Sequence, residues 1–230
     1  MFNFESMSEK NFYDIIICGG GITGLLLAKK LTDDIYFKNH KIALIEKEEK
    51  NKNDRTISFW EEGKGEWDSI ICGSWKNANF ISDEYQSSFA LRPYTYKTIR
   101  GIDFYNHFKK SLSNKNNLKI IRDNILNIKS DESFSYVKTL NKEYKAPRVF
   151  SSIPNLEYKN QTSIPVLQQH FIGWFVKTEN SIFDPNKLIF MDFSVPQKGN
   201  TRFMYILPFD KNFALVEYTL FSKKILEKEE

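Results

Sequence analysis

The sequence has only two cysteines, too few and too far apart for a disulfide framework or a metal site: Cys18 and Cys72 lack partners at ligand spacing. Cys18 sits in the apolar run Ile15-Ile16-Ile17, where a free cysteine acts as a small hydrophobe, and this usage fits a reducing, cytoplasmic setting. Long hydrophobic runs are also missing. The longest fall well short of the roughly 20 residues that span a bilayer, and the first is followed by glycines, not a cleavage site. Charge of one sign is scarce too. The net charge is +4, and the lysines are scattered among asparagines and glutamates. No stripe can track a phosphate backbone, so nucleic acid is excluded as a partner, and membrane contact is expected to be peripheral. There is no internal repeat and no Pro- or Ser-rich linker.

What is present is core material. Of the 230 residues 41% are hydrophobic and 15% aromatic, which excludes a disordered chain and suits one large domain or two small ones sharing a core. Residues 1–10 read as a polar lead-in. From Tyr13 to Glu46 the pattern is strand, glycine loop, helix, loop, strand. Residues 103–112 read as a short amphipathic helix with Phe104, Phe108 and Leu112 on one side. Strands are expected at 118–122, 134–140 and 148–151. After Pro154 and Pro165 the chain changes to four β-rich runs at 170–178, 188–193, 202–207 and 213–221, with turns at Gly199-Asn200 and Asp210-Lys211-Asn212. Short connections between sequential strands imply antiparallel pairing. The expected fold class is α/β: a Rossmann-like FAD/NAD(P)-binding domain over 1–158, with an appended, mostly antiparallel β-sheet substrate domain over 159–230.

The first chemical motif is Gly19-Gly20-Gly21-Ile22-Thr23-Gly24, between the buried-strand pattern Asp14–Cys18 and the helix opened by Leu25-Leu26-Leu27-Ala28. Gly19 permits a tight turn, Gly21 lets a pyrophosphate approach the backbone, and Gly24 lets helix and strand pack closely. The amides of the helix N-terminus then face the phosphates. Glu46 ends the second strand, where a carboxylate accepts hydrogen bonds from the adenosine ribose. An acid there disfavours NADP but does not separate FAD from NAD. The next stretch, residues 51–61, is on chemistry alone a polar loop ending in Phe59 and Trp60, with Arg55 able to reach a phosphate.

Several segments in fixed order carry a resemblance. They are Asn53-Asp54-Arg55-Thr56 with Ser58-Phe59-Trp60; Tyr96-Lys97-Thr98-Ile99-Arg100-Gly101-Ile102-Asp103-Phe104-Tyr105; Gln169-His170-Phe171-Ile172-Gly173-Trp174; Met191-Asp192-Phe193; Arg202 through Pro208; and Ala214 through Ser222. Together with the glycine loop they resemble the flavoprotein-type lycopene cyclases, over nearly the whole chain. The sequence departs from the family at Ile57, where many relatives carry a second tryptophan, and at Ser194, where an arginine is common. It also ends 13 residues after Glu217, whereas such cyclases continue with a further flavin contact, so it reads as an N-terminal portion. The resemblance implies FAD, used in reduced form and recharged by NAD(P)H. Its implied substrate is lycopene or a related linear carotene, met at the cytoplasmic membrane surface, and its implied reaction is acid-catalysed ring closure without net redox change.

It also implies that Glu217 is the catalytic acid. The residues allow this independently. On a strand Phe213, Leu215, Glu217, Thr219 and Phe221 share one face, and apolar neighbours disfavour the carboxylate and raise its pKa. A salt bridge to Arg202 or an edge position facing solvent are equally open readings of the residues alone. Asp192 is a second candidate acid, able to share charge with Glu217 or simply to end a strand. Trp60, Trp174, Phe171 and Tyr205 are candidate aromatic faces for a cation; His170 reads as a packed, hydrogen-bonded side chain. The rival expectations are another FAD-dependent monooxygenase or prenyl reductase of the same fold, or a nucleotide-binding fragment without activity.

Overall fold

A computed structural model describes residues 11–154, 160 and 162–226. In chain order its elements are β1 (Ile15–Cys18), α1 (Ile22–Asp33), β2 (Ile42–Glu46), β3 (Thr56–Glu62), β4 (Gly73–Trp75), β5 (Asn77–Ile81), β6 (Gln86–Ala90) and β7 (Tyr94–Arg100). They continue with α2 (Gly101–Leu112), β8 (Leu118–Arg122), β9 (Ile125–Ser130), β10 (Ser135–Thr139), β11 (Glu143–Ala146) and β12 (Arg148–Ser151). The last four are β13 (Gln168–Lys177), β14 (Lys187–Asp192), β15 (Thr201–Pro208) and β16 (Phe213–Ser222). Two compact units result, each from two stretches of chain: Met1–Lys52 with Phe104–Leu156, and Asn53–Asp103 with Glu157–Glu230. The boundary near 158 read from sequence falls outside the described residues, as does the lead-in 1–10. Two further junctions, at 52/53 and 103/104, carry the chain out of the first unit and back.

The first unit is built on a four-stranded sheet in the order β12-β1-β2-β8, with every ladder parallel. Parallel strands must be covered on both faces, which is why Ile15-Ile16-Ile17-Cys18 and Ile42-Ala43-Leu44-Ile45 are apolar without alternation. One face, with Ile16, Cys18, Ala43 and Ile45, packs against Val137, Tyr144 and Ala146 of the antiparallel meander β9-β10-β11. The other is left to the helices, whose buried sides are Leu25, Ala28 and Leu31 on α1 and Phe104, Phe108 and Leu112 on α2.

The second unit is a six-stranded sheet, order β13-β16-β15-β14-β5-β6, and a three-stranded antiparallel sheet, β3-β7-β4. Pairing in the larger sheet is antiparallel except between β14 and β5. Trp75, Ala78, Leu91, Tyr96, Leu188, Leu207 and Leu215 form the core of this unit, and the Trp75 indole N–H donates to the Pro208 carbonyl at 3.1 Å. The four C-terminal strands match the sequence reading. The segment read as a polar loop at 51–61 does not, because Thr56–Glu62 is strand β3, paired residue for residue with β7. Thr56, Ser58 and Glu61-Glu62 surround Ile57, Phe59 and Trp60 without a clean apolar alternation, and the partner strand lies some 40 residues away. Ile57, one of the two departures, is buried there.

Candidate functional site

The glycine loop leaves β1 and enters α1 in the first unit. Gly19 has φ +102°, a conformation that L side chains rarely adopt. A Cβ added at Gly24 would collide with the Gly19 carbonyl oxygen, so helix and loop approach at a distance only glycine allows. A Cβ at Gly21 would meet nothing within 4 Å. No side chain caps α1, and no acid lies in its first turn. The first amides of a helix have no partner inside it, and its dipole is positive at that end. The residues present therefore fit a pyrophosphate.

Glu46 is not free beside this loop. Its Oε2 accepts from the Gly20 N–H at 2.6 Å and its Oε1 from the Glu48 N–H at 2.8 Å. Each carboxylate oxygen keeps further acceptor capacity, so a ribose hydroxyl can still be bound by a group already fixed in place. A cavity of about 170 Å³ extends from Gly20 and Glu46 past Lys50 to Tyr105 and Leu112 of α2. Lys50 and Tyr105 were not singled out from sequence. Tyr105 lies beside the Phe104/Phe108 stripe that marked the helix, and that stripe drew the reading away from it. Arg55 belongs to the second unit, where its guanidinium bonds Asp54 at 2.8 Å and its carbonyl accepts from the Gly101 N–H.

In the second unit β16 is an inner strand, with β13 on one side and β15 on the other. Register sets Glu217 opposite Tyr205 and Gly173. Directly opposed residues share a face, so Glu217 faces a cavity of about 340 Å³ walled by Tyr96, Phe171, Phe190, Phe203, Tyr205 and Leu215. It is the only carboxyl group among the described residues lining that cavity. Burial pushes its carboxyl above the usual carboxylate range. Among the described residues no hydrogen bond or ion pair to it is recorded. A Cβ at Gly173 would lie 3.0 Å from Glu217 Cγ and 3.2 Å from Oε1, so the missing side chain makes room for the acid.

The salt bridge considered from sequence does not form. Arg202 is opposite Leu220, on the other face, and its guanidinium donates to the Tyr218 hydroxyl at 3.3 Å. Asp192 is opposite Met204, which also faces away from Glu217, and its Oδ1 accepts from the Ser194 N–H and hydroxyl at 2.9 and 2.6 Å. The structure thus places Asp192 at a strand end and not beside Glu217, and Ser194, the second departure, fastens that end.

Of the aromatic candidates, Phe171 and Tyr205 line the cavity, and the Trp60 ring packs at a tilt against Tyr96, centroids 4.6 Å apart. Trp174, opposite Val216, is on the other face. His170 is hydrogen-bonded at both ring nitrogens, to the Gln168 carbonyl and the Leu226 N–H. Sequence reasoning missed the hydroxyl groups behind the wall. The Tyr205 hydroxyl donates to that of Tyr96 at 2.9 Å, and Ser58 meets Thr98 at 2.9 Å. Burial and the neighbouring Tyr96 hold the Tyr205 phenol far above its usual pKa, so it remains neutral. Pairing of β3 with β7 sets Ser58 opposite Thr98, and packing of β7 against β15 of the larger sheet brings Tyr205 to Tyr96.

Among curated proteins none matches the sequence. Solved structures do, across nearly all of it. A geranylgeranyl bacteriochlorophyll reductase-like protein from Thermoplasma acidophilum is 15% identical, with a TM-score of 0.62 over 93% of this chain and 57% of its own. The halogenase PltM, solved in complex with phloroglucinol and FAD, is 11% identical, with a TM-score of 0.63 over 90% and 51%. The p-nitrophenol 4-monooxygenase PnpA from Pseudomonas putida DLL-E4 is 16% identical, with a TM-score of 0.61 over 95% and 59%. At these identities the likeness is one of fold, and the chain spans just over half the length of each. A family model described as lycopene cyclase protein matches residues 14–230, and on that match the chain belongs to the lycopene cyclase family.

Proposed function

We propose that this chain carries the FAD cradle and the proton-donating pocket of an enzyme that closes the end of a linear carotene, such as lycopene, into a β-ionone ring. The observation that carries this reading is Glu217: the only carboxyl group among the described residues lining a largely aromatic cavity, with burial pushing its carboxyl above the usual carboxylate range. It gives its proton to the terminal double bond, leaving a tertiary carbocation. The internal double bond attacks, the ring closes, and a ring proton returns to the Glu217 carboxylate. The product is an isomer of the substrate. Tyr205, Phe171 and Phe203 present ring faces to the cation, each worth about 0.5–2 kcal/mol, and exclude the water that would quench it. Gly19, Gly21, Gly24 and Glu46 hold the dinucleotide, and the flavin-bearing relatives in fold make FAD the choice over NAD. FAD held there and reduced at the expense of NAD(P)H would supply anionic charge favourable to a cation and would not be consumed.

No described helix is long and apolar enough to cross a membrane. Access to a carotene is assigned to peripheral contact of the chain with the cytoplasmic membrane. The test is Glu217→Gln, assayed by chromatography and mass spectrometry of the carotene. The variant is expected to leave lycopene unchanged while retaining flavin. Ring formation by Glu217→Gln at the wild-type rate overturns the proposal. A prenyl reductase or monooxygenase of the same fold is separated by product mass, which ring closure leaves unchanged and those reactions raise.

A further inference from the structure

A second cavity, of about 360 Å³, opens on the same face of the six-stranded sheet. It begins where the Glu217 cavity ends: Thr56 lines both, and β16 runs from Glu217 through Leu215 in the first to Phe213 in the second. Alternation keeps 213, 215 and 217 on one face, and four residues of strand separate the two ends by roughly 13 Å. Phe175, Phe209 and Phe213 form its wall. Their ring centroids are 6.2 Å (Phe175 to Phe209), 5.9 Å (Phe175 to Phe213) and 5.6 Å (Phe209 to Phe213) apart, with planes 25°, 20° and 35° from parallel. Besides Thr56, which it shares with the Glu217 cavity, its polar lining residues each have a partner. Arg100 bonds Asp103 at 2.6 and 3.1 Å, the Cys72 thiol meets the Thr98 carbonyl, and Asn53 Oδ1 accepts from the Ile102 N–H. An occupant needs no polar head.

Proton transfer at Glu217 makes no use of this cavity. Ring closure, however, engages only one end of a linear molecule, and the rest of that molecule needs an apolar path leading away. We infer that Phe175, Phe209 and Phe213 form a second station, which grips the non-reacting length of a linear polyene whose end lies at Glu217. The inference rests on the cyclase reading and deepens it. The enzyme measures its substrate, selecting long chains over short ones that carry the same terminal group. Nearly parallel ring faces suit a flat conjugated chain, and the register of β16 aligns both stations along one strand.

The test uses the purified chain with two probes, lycopene and a ten-carbon acyclic polyene with the same end group, too short to span the roughly 13 Å between the two stations. Binding is read as quenching of tryptophan emission, since Trp60 packs against the cavity wall residues Tyr96 and Phe190. In Phe175→Ala, and independently in Phe213→Ala, affinity for lycopene should fall about tenfold, the order expected for loss of one aromatic wall. Affinity for the short polyene should stay unchanged. Phe175 is half exposed, so its truncation spares the core, and circular dichroism checks the fold. Equal losses for both lengths, or no loss for either, overturn the second station and leave the Glu217 reading standing. Absence of quenching by either polyene overturns both.

Discussion

Replacing Glu217 by glutamine separates an acid poised for proton transfer from a structural carboxylate by stability as well as by turnover. Burial raises the Glu217 pKa in the folded chain, while in the unfolded chain the group has its ordinary value. Between the two the folded state binds more protons, so stability falls as pH rises. The contribution is full below the unfolded value and is lost as pH climbs through the raised one. Glutamine has the same shape and no titration. The midpoint difference, variant minus wild type, should therefore be near zero in acid and become positive above the carboxylate range. No recorded hydrogen bond is broken, so the change in acid should stay within about 0.5 kcal/mol. At about 2–4 °C per kcal/mol for a chain of this size, that is at most about 2 °C. Scanning fluorimetry of both proteins from pH 4 to pH 9, taken as a nominal range of about 5 pH units, is the measurement. A broken buried ion pair would instead cost about 3–5 kcal/mol at neutral pH and nothing in acid. A variant less stable than wild type at neutral pH, with the two converging in acid, would refute the reasoning.

Gly24→Ala forces α1 away from the Gly19 carbonyl; flavin absorbance of the purified chain should be lost, with a destabilisation of about 1–3 kcal/mol in denaturant titration. Gly173→Ala crowds the Glu217 carboxyl and should lower kcat while leaving flavin content intact. Lys97 is buried in β7 and donates to Glu61, Asp68 and the Gly63 carbonyl at 2.8, 2.6 and 2.9 Å. Hydrogen bonding to Lys97 lowers the Asp68 pKa, a contribution present above the unfolded value and lost as pH falls through the folded one. Acid unfolding of Lys97→Met should accordingly begin at higher pH than in wild type, followed by circular dichroism. Burial pushes the Cys18 thiol up to about 12, so iodoacetamide at mildly alkaline pH should label Cys72 first in the native chain and both thiols after unfolding, as read by peptide mass spectrometry.

The glycine loop was legible because its constraints are local. A tight turn, an uncapped helix start and an acid at the end of the next strand all lie within 34 residues of chain, and each follows from backbone sterics. The C-terminal strands were legible for a similar reason, since period-two alternation and short turns are properties of neighbouring residues. Glu217 was legible as an acid among apolar residues, but its partner was not. A sequence cannot say which face of β15 meets it, and a shift of one residue would exchange Tyr205 for Met204 or Ile206. Register decided against Arg202 and left the acid unpaired among the described residues. It turned Asp192 toward the opposite face and set the side-chain-free Gly173 beside the carboxyl.

Residues 53–103 show the limit most clearly. Strand β3 pairs with β7 over a long separation, so nothing local marked Tyr96, Ser58 or Thr56 as parts of the acid's surroundings. The sequence by itself determined the glycine loop between strand and helix, the class of fold and a carboxyl group among apolar residues of a strand, because short-range sterics and strand periodicity carry that information. Only the tertiary structure decided what surrounds the acid and that two cavities share one strand, because cross-strand register is set by packing between segments far apart in the chain.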